Sequence, residues 1–177
     1  RSRAGATGSA RPWRTRSERM SDQSPRDHAG QDLAHVRAMW AADGASAGLG
    51  IECLEVSHDG RLGSALARMT VTGTMVNGHD ICHGGFIFAL ADSAFALAGN
   101  AGGSPAVAAT CDITFVTAAR LGDVLLAAAR ERTTYGRNGI TDVTVTREAD
   151  GAVVAEFRGR SRTIGPRPAA GEHVLPR

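Results

Sequence analysis

The sequence predicts an α+β domain in which a curved antiparallel sheet wraps around one long buried helix. Three observations carry this. Residues 86–98 are apolar or small on nearly every side of a helical wheel, and a helix apolar all round belongs inside a core. Two strand-like runs precede that helix and four long ones follow it. The connections among the later runs are short, which favours antiparallel pairing of sequence neighbours in a meander.

In chain order, Leu33, Val36, Met39 and Trp40 recur at helical spacing and predict a short amphipathic helix over residues 27–42. Gly44, Gly48 and Gly50 are expected to break it. Residues 51–57 and 62–71 read as strands joined by His58-Asp59-Gly60, where Asp-Gly is a hairpin signal. The central helix lies within 77–100 and stops at Gly102-Gly103-Ser104-Pro105. Strands follow over 106–116, 123–135, 140–147 and 152–164, with turns at Gly136-Arg137-Asn138-Gly139 and Asp150-Gly151.

At 177 residues the chain has room for one domain and some excess at the ends. Residues 1–28 are rich in Arg, Ser, Gly and Pro with little to bury, so they are expected to be disordered. Within them, residues 1–19 read as a non-native stretch ahead of a natural start at Met20-Ser21. The domain is expected over 29–165, and 166–177, with three prolines, as a loose tail. All 20 basic residues are arginine, yet the net charge is only +2, too small to argue for nucleic acid. No charge-free run of about 18 apolar residues appears, so no membrane partner is expected. Cys53, Cys82 and Cys111 form no disulfide framework, which points to a reducing, cytoplasmic setting.

One residue breaks the apolar pattern of the central helix. Asp92 is the only ionisable group between His83 and Cys111. A buried carboxylate is costly unless paired, hydrogen-bonded or protonated. At the helix start, Gly84 and Gly85 leave backbone N–H groups open to close approach, and a helix N-terminus favours negative charge. An oxyanion donor and a carboxylate are two parts of an acyl-transfer site. At about 1.5 Å rise per residue, Asp92 lies roughly 12 Å along the axis from Gly84. Reacting groups must sit about 3 Å apart. Two antiparallel copies would set Asp92 of one against the Gly84 N–H of the other, so the spacing predicts active sites shared across an isologous dimer.

Two other readings are weaker. His79-Asp80-Ile81-Cys82-His83 holds zinc-type ligands, but no second group stands at zinc spacing, so no metal is expected. Cys82 as a nucleophile would need a base and a lowered pKa. Arg137, Arg158 and Arg160 suit phosphate chemistry or a solvated sheet edge.

The string Asn77-Gly78-His79, Cys82-His83-Gly84-Gly85, Leu90-Ala91-Asp92 and Phe95, with Phe157-Arg158-Gly159-Arg160-Ser161 near the end, resembles the hotdog-fold acyl-CoA thioesterases over residues 30–165. That resemblance implies a dimer with a continuous sheet, commonly a homotetramer. It implies that Asp92 is the catalytic carboxylate, as general base or nucleophile, and that the Gly84 N–H forms the oxyanion hole. His83 and Asn77 would support that loop, and Thr110 would orient the water. Coenzyme A would be part of the substrate and no cofactor would be needed. Gly85, Arg137, Asn138, Gly139 and Arg158 would be candidates to bind the substrate. The acyl group implied is phenylacetyl or a ring-hydroxylated relative, in aromatic degradation. Two alternatives remain. A hotdog enoyl-CoA hydratase would pair the Asp with a His, yet none follows Asp92 until His173. A non-catalytic acyl-CoA-binding module would have no use for the carboxylate.

Overall fold

The computed structural model describes residues 33–165, so the segments expected to be disordered (1–28) and loose (166–177) lie outside the described residues. The first helix, α1, spans Ala34–Ala41 and buries Val36. Where the glycines were expected to end helical structure, a second short helix follows, α2, Gly44–Gly48. Asp43 makes it possible: its side chain accepts from the Ala45 and Ser46 N–H groups, the donors a helix start leaves unpaired.

The strands are β1 Glu52–His58, β2 Gly63–Thr70, β3 Ala106–Phe115, β4 Val124–Tyr135, β5 Asn138–Arg147 and β6 Val153–Thr163. They form one antiparallel sheet in the order β1-β2-β4-β5-β6-β3. A plain meander was expected, and β4 to β6 follow it. β3 does not. After the central helix the chain returns along the far edge of the sheet and pairs with β6, while β4 takes the free side of β2. The sheet therefore stays open, with β1 and β3 at its edges.

The long helix α3, Gly84–Asn100, lies against this sheet. Leu90, Ala91, Ala94, Leu97 and Ala98 are all at most 1% exposed and share one core with Ala67, Met69, Leu125, Val143 and Val145. Burial of the leucine, methionine and valine side chains among them contributes about 1.5–3 kcal/mol each. Small residues set the spacing. A β-carbon at Gly63 would overlap the Ala98 carbonyl oxygen, and one at Gly159 would come within 2.6 Å of the Phe95 ring. Asn100 closes the helix, its side chain bonding to the Ala96 and Ala106 carbonyls and the Ala106 N–H. On the other face of the helix, Ala89, Asp92, Ser93, Ala96 and Gly99 are only half-buried. Among the described residues no helix is long and apolar enough to cross a membrane.

Candidate active site

The start of α3 is built by a tightly bonded loop. Asn77 accepts the His79 N–H on Oδ1 at 2.8 Å, and its own N–H donates to the Ile81 carbonyl at 2.9 Å. Asp80 takes up a left-handed φ of 57° to close that turn. The Cys82 N–H then donates to the Ala119 carbonyl, and the His83 N–H to the Met75 carbonyl, each at 2.8 Å. His83 caps the helix, its Nδ1 accepting the Gly85 N–H at 3.1 Å. Asn77 and His83 thus hold the loop together.

With Gly85 satisfied by the cap, the Gly84 N–H is left without a partner among the described residues. It opens on a largely apolar cavity of about 550 Å³ lined by Asn77, His83, Gly84, Gly85 and Phe115, among others. The Phe115 ring stands directly over Gly84, where a β-carbon would come within 2.7 Å of Cζ. A bare backbone donor beside an apolar wall suits a carbonyl oxygen that gains negative charge.

Asp92 lies two turns further along α3 and does not line that cavity. Burial pushes its carboxyl above the ordinary carboxylate range, and the charge of Asp43 adds to the effect. The nearest polar contact is the Cys111 thiol, with Sγ 4.0 Å from Oδ1. Burial, and secondarily the Asp92 charge, push that thiol up as well, which disfavours the thiolate that a nucleophile needs. Beside Asp92, Ser93 shares a 2.8 Å hydrogen bond with Ser46, whose hydroxyl donates to Asp43 at 2.6 Å. This chain of hydrogen bonds ties α2 to α3 next to the carboxylate. One polypeptide therefore carries the open Gly84 N–H and the Asp92 carboxylate without bringing them together.

The other expected residues scatter. Thr110 is exposed and sits opposite Arg160, on the face of the sheet turned away from α3. Cys111 takes the inward place. Arg137, Asn138 and Gly139 line a separate cavity at the far end of α3. The Arg137 guanidinium donates to the Thr163 and Gly165 carbonyls. Arg158 forms a two-pronged ion pair with Asp142, at 2.6 and 2.9 Å, on the outer face. Asp142 is held below the usual carboxylate range chiefly by that Arg158 contact, with Arg132 adding to it. Neither guanidinium is uncommitted. Among the described residues, no three His, Cys, Asp or Glu side chains converge as metal ligands.

Sequence reasoning passed over Cys111, Phe115 and Glu131. The first two touch Asp92 and Gly84 only through the strand pairing of β3. Glu131 did leave a signal, because it continues the inward series Leu125, Ala127, Ala129 at a spacing of two.

The chain also matches known proteins. The model of the thioesterase superfamily matches residues 79–154. With the close relative described next, this places the chain in that superfamily, with the hotdog fold and the activity of a thioester hydrolase. The acyl-coenzyme A thioesterase PaaI of Escherichia coli (strain K12) is 40% identical over 131 residues, which are 74% of this chain and 90% of that protein. The solved structure of E. coli PaaI, from the phenylacetic acid degradation operon, superposes with a TM-score of 0.69 at 39% identity, covering 76% of this chain and 97% of that one. A single-residue mutant of the phenylacetic acid degradation protein PaaI of Thermus thermophilus superposes with a TM-score of 0.61 at 34% identity, covering 67% of this chain and 97% of that one.

Proposed function

We propose that the chain hydrolyses acyl-CoA thioesters of the arylacetyl class, at sites shared between two copies. The observation that carries this reading is the unpartnered Gly84 N–H at a cavity mouth, on the same helix as the desolvated Asp92. In the proposed step, water attacks the thioester carbonyl carbon while Asp92 takes its proton. The carbonyl oxygen becomes an oxyanion held by the Gly84 N–H. Collapse re-forms the carbonyl, breaks the carbon–sulfur bond and releases the CoA thiolate, which takes the proton back from Asp92. A raised carboxyl pKa makes Asp92 a stronger base than a solvated aspartate. Direct attack by Asp92 on the carbonyl carbon is the second form of the same reading.

Sharing is supported by the edge strand. β3 pairs only with β6 among the described residues, and near its two ends it exposes Val107 at 47% and Phe115 at 52%. Unpaired backbone with apolar side chains is a template for a second copy of the same strand. A copy related by a two-fold axis beside β3 would also cover the half-buried stripe of α3 that carries Asp92. The apolar cavity and the names of the similar proteins support an arylacetyl group.

The test is thiol release from phenylacetyl-CoA beside acetyl-CoA and a long-chain acyl-CoA. Turnover is expected to be fastest on the aryl substrate. Asp92→Asn is expected to lower kcat by about 10²-fold or more. Equal rates on all three substrates would remove the arylacetyl assignment, and undiminished turnover in Asp92→Asn would remove the mechanism.

A further inference from the structure

The second cavity, about 360 Å³ at the C-terminal end of α3, shares no lining residue with the cavity at the helix start. Small-molecule pockets begin at roughly this size. Its floor comes from three neighbouring strands, with Glu131 from β4, Gly139 from β5 and Ser161 from β6. Glu131 is 6% exposed and Ser161 5%. Glu131 Oε2 accepts the Gly63 N–H at 3.1 Å. The other carboxylate oxygen and the Ser161 hydroxyl make no hydrogen bond to any described residue. A β-carbon at Gly139 would stand 2.8 Å from Glu131 Oε1 and 2.7 Å from Ser161 Oγ. The two oxygens therefore converge over a bare stretch of backbone, close enough for one donor group to bridge them.

The surroundings select the sign of that donor. No arginine pairs with Glu131 among the described residues, and burying an unpaired carboxylate is costly. Gly99 and Gly102 bring the last turn of α3 to the cavity, and the carbonyl end of a helix favours positive charge. Burial, opposed by the Gly63 hydrogen bond and aided by the charge of Asp59, pushes the Glu131 carboxyl up to about 7. Of the cations facing the cavity, Arg137 is turned onto the Thr163 and Gly165 carbonyls. His58 and Arg61 stand on the β1–β2 hairpin at the mouth.

We propose that this cavity binds a small primary amine. Its ammonium bridges Glu131 Oε1 and Ser161 Oγ, and its outer end, beside Arg61, is neutral or anionic. Nothing in this site depends on thioester hydrolysis, so it stands or falls apart from the catalytic reading.

Benzylamine and benzyl alcohol test it, because they share a shape and differ in charge. Titration of the full chain at pH 8, where Glu131 is ionised and benzylamine is still an ammonium, is followed by NMR line shifts. Benzylamine is expected to saturate and to bind at least about tenfold tighter than benzyl alcohol. Glu131→Gln, which keeps the size, is expected to abolish that preference, and Ser161→Ala to weaken benzylamine severalfold. Circular dichroism and a thermal melt establish that each variant is folded. Should Glu131→Gln not fold, Ser161→Ala carries the test alone. Equal affinity for the two probes, absence of saturable benzylamine binding, or unchanged binding in the folded variants would overturn the proposal.

Discussion

Replacing Glu131 by glutamine should change how stability depends on pH, by an amount the structure bounds. Burial lifts this carboxyl from 4.5 in its ordinary state to about 7 in the fold. Between those values the folded chain holds a proton that the unfolded chain has released. Stability therefore falls as pH rises through that window, and the loss is complete above about 7. At about 1.4 kcal/mol per pH unit the full effect would be ~3 kcal/mol. One carboxylate oxygen opens on the cavity, where solvent screens the charge, so we expect about 1–2 kcal/mol. Glutamine keeps the volume and a carbonyl oxygen for the Gly63 N–H, but it cannot ionise. Urea melts of both proteins at pH 5 and pH 8 give the comparison. Glu131→Gln should gain about 1–2 kcal/mol relative to the parent on going from pH 5 to pH 8. Asp92 also carries a raised carboxyl, but it is common to both proteins and cancels in the difference. A difference that does not change with pH would refute the reasoning.

Three further outcomes follow from the same contacts. Gly63→Ala should cost about 3 kcal/mol or more in urea melts, because its β-carbon meets backbone at Ala98 that cannot swing aside. Gly78→Ala, with open space around it, should cost under about 1 kcal/mol. Asp43→Ala removes the cap of α2 and the hydrogen bond to Ser46, and should cost about 1 kcal/mol. Because it also removes a negative charge acting on Asp92, it should move the acid limb of the thioesterase pH profile to lower pH, whereas a purely structural role would leave that limb in place.

The parts of this molecule legible in sequence are those where one residue type has one physical use. Residues 86–98 read as the helix that packs into the core, and the His83-Gly84-Gly85 run as its start. The spacing of Gly84 and Asp92 also set them too far apart for one chain to bring them together. What stayed hidden depends on register. The placement of β3 beyond β6 is decided by which strand edge stays free after the helix, a matter of the whole sheet. Thr110 failed to face inward because β3 carries a bulge between Ala108 and Thr110. One extra residue there moves the inward position from 110 to 111 and puts a thiol, not a hydroxyl, against Asp92. The short α2 was hidden because its glycines read as breakers, and the Asp43 cap outweighs them. Glu131 was visible as an acid on an inward parity, but its convergence with Ser161 needed three strands in register.

The most direct test of a shared thioesterase site is to mix two inactive variants. Asp92→Asn removes the base. Gly84→Pro removes the N–H donor at the first helical position, where proline is tolerated; its β-carbon displaces the Phe115 ring end, which is exposed and free to swing aside, and His83 at φ −64° and ψ 131° already has the backbone that precedes proline. Each variant alone should release CoA from phenylacetyl-CoA at least about 10²-fold more slowly than the parent chain. After unfolding and refolding together in equal amounts, half the dimers are mixed, and each holds one site with Gly84 from one copy and Asp92 from the other. About one quarter of the parent activity should return. Individually dead variants that stay dead when mixed, in dimers shown to have exchanged, would contradict the shared site.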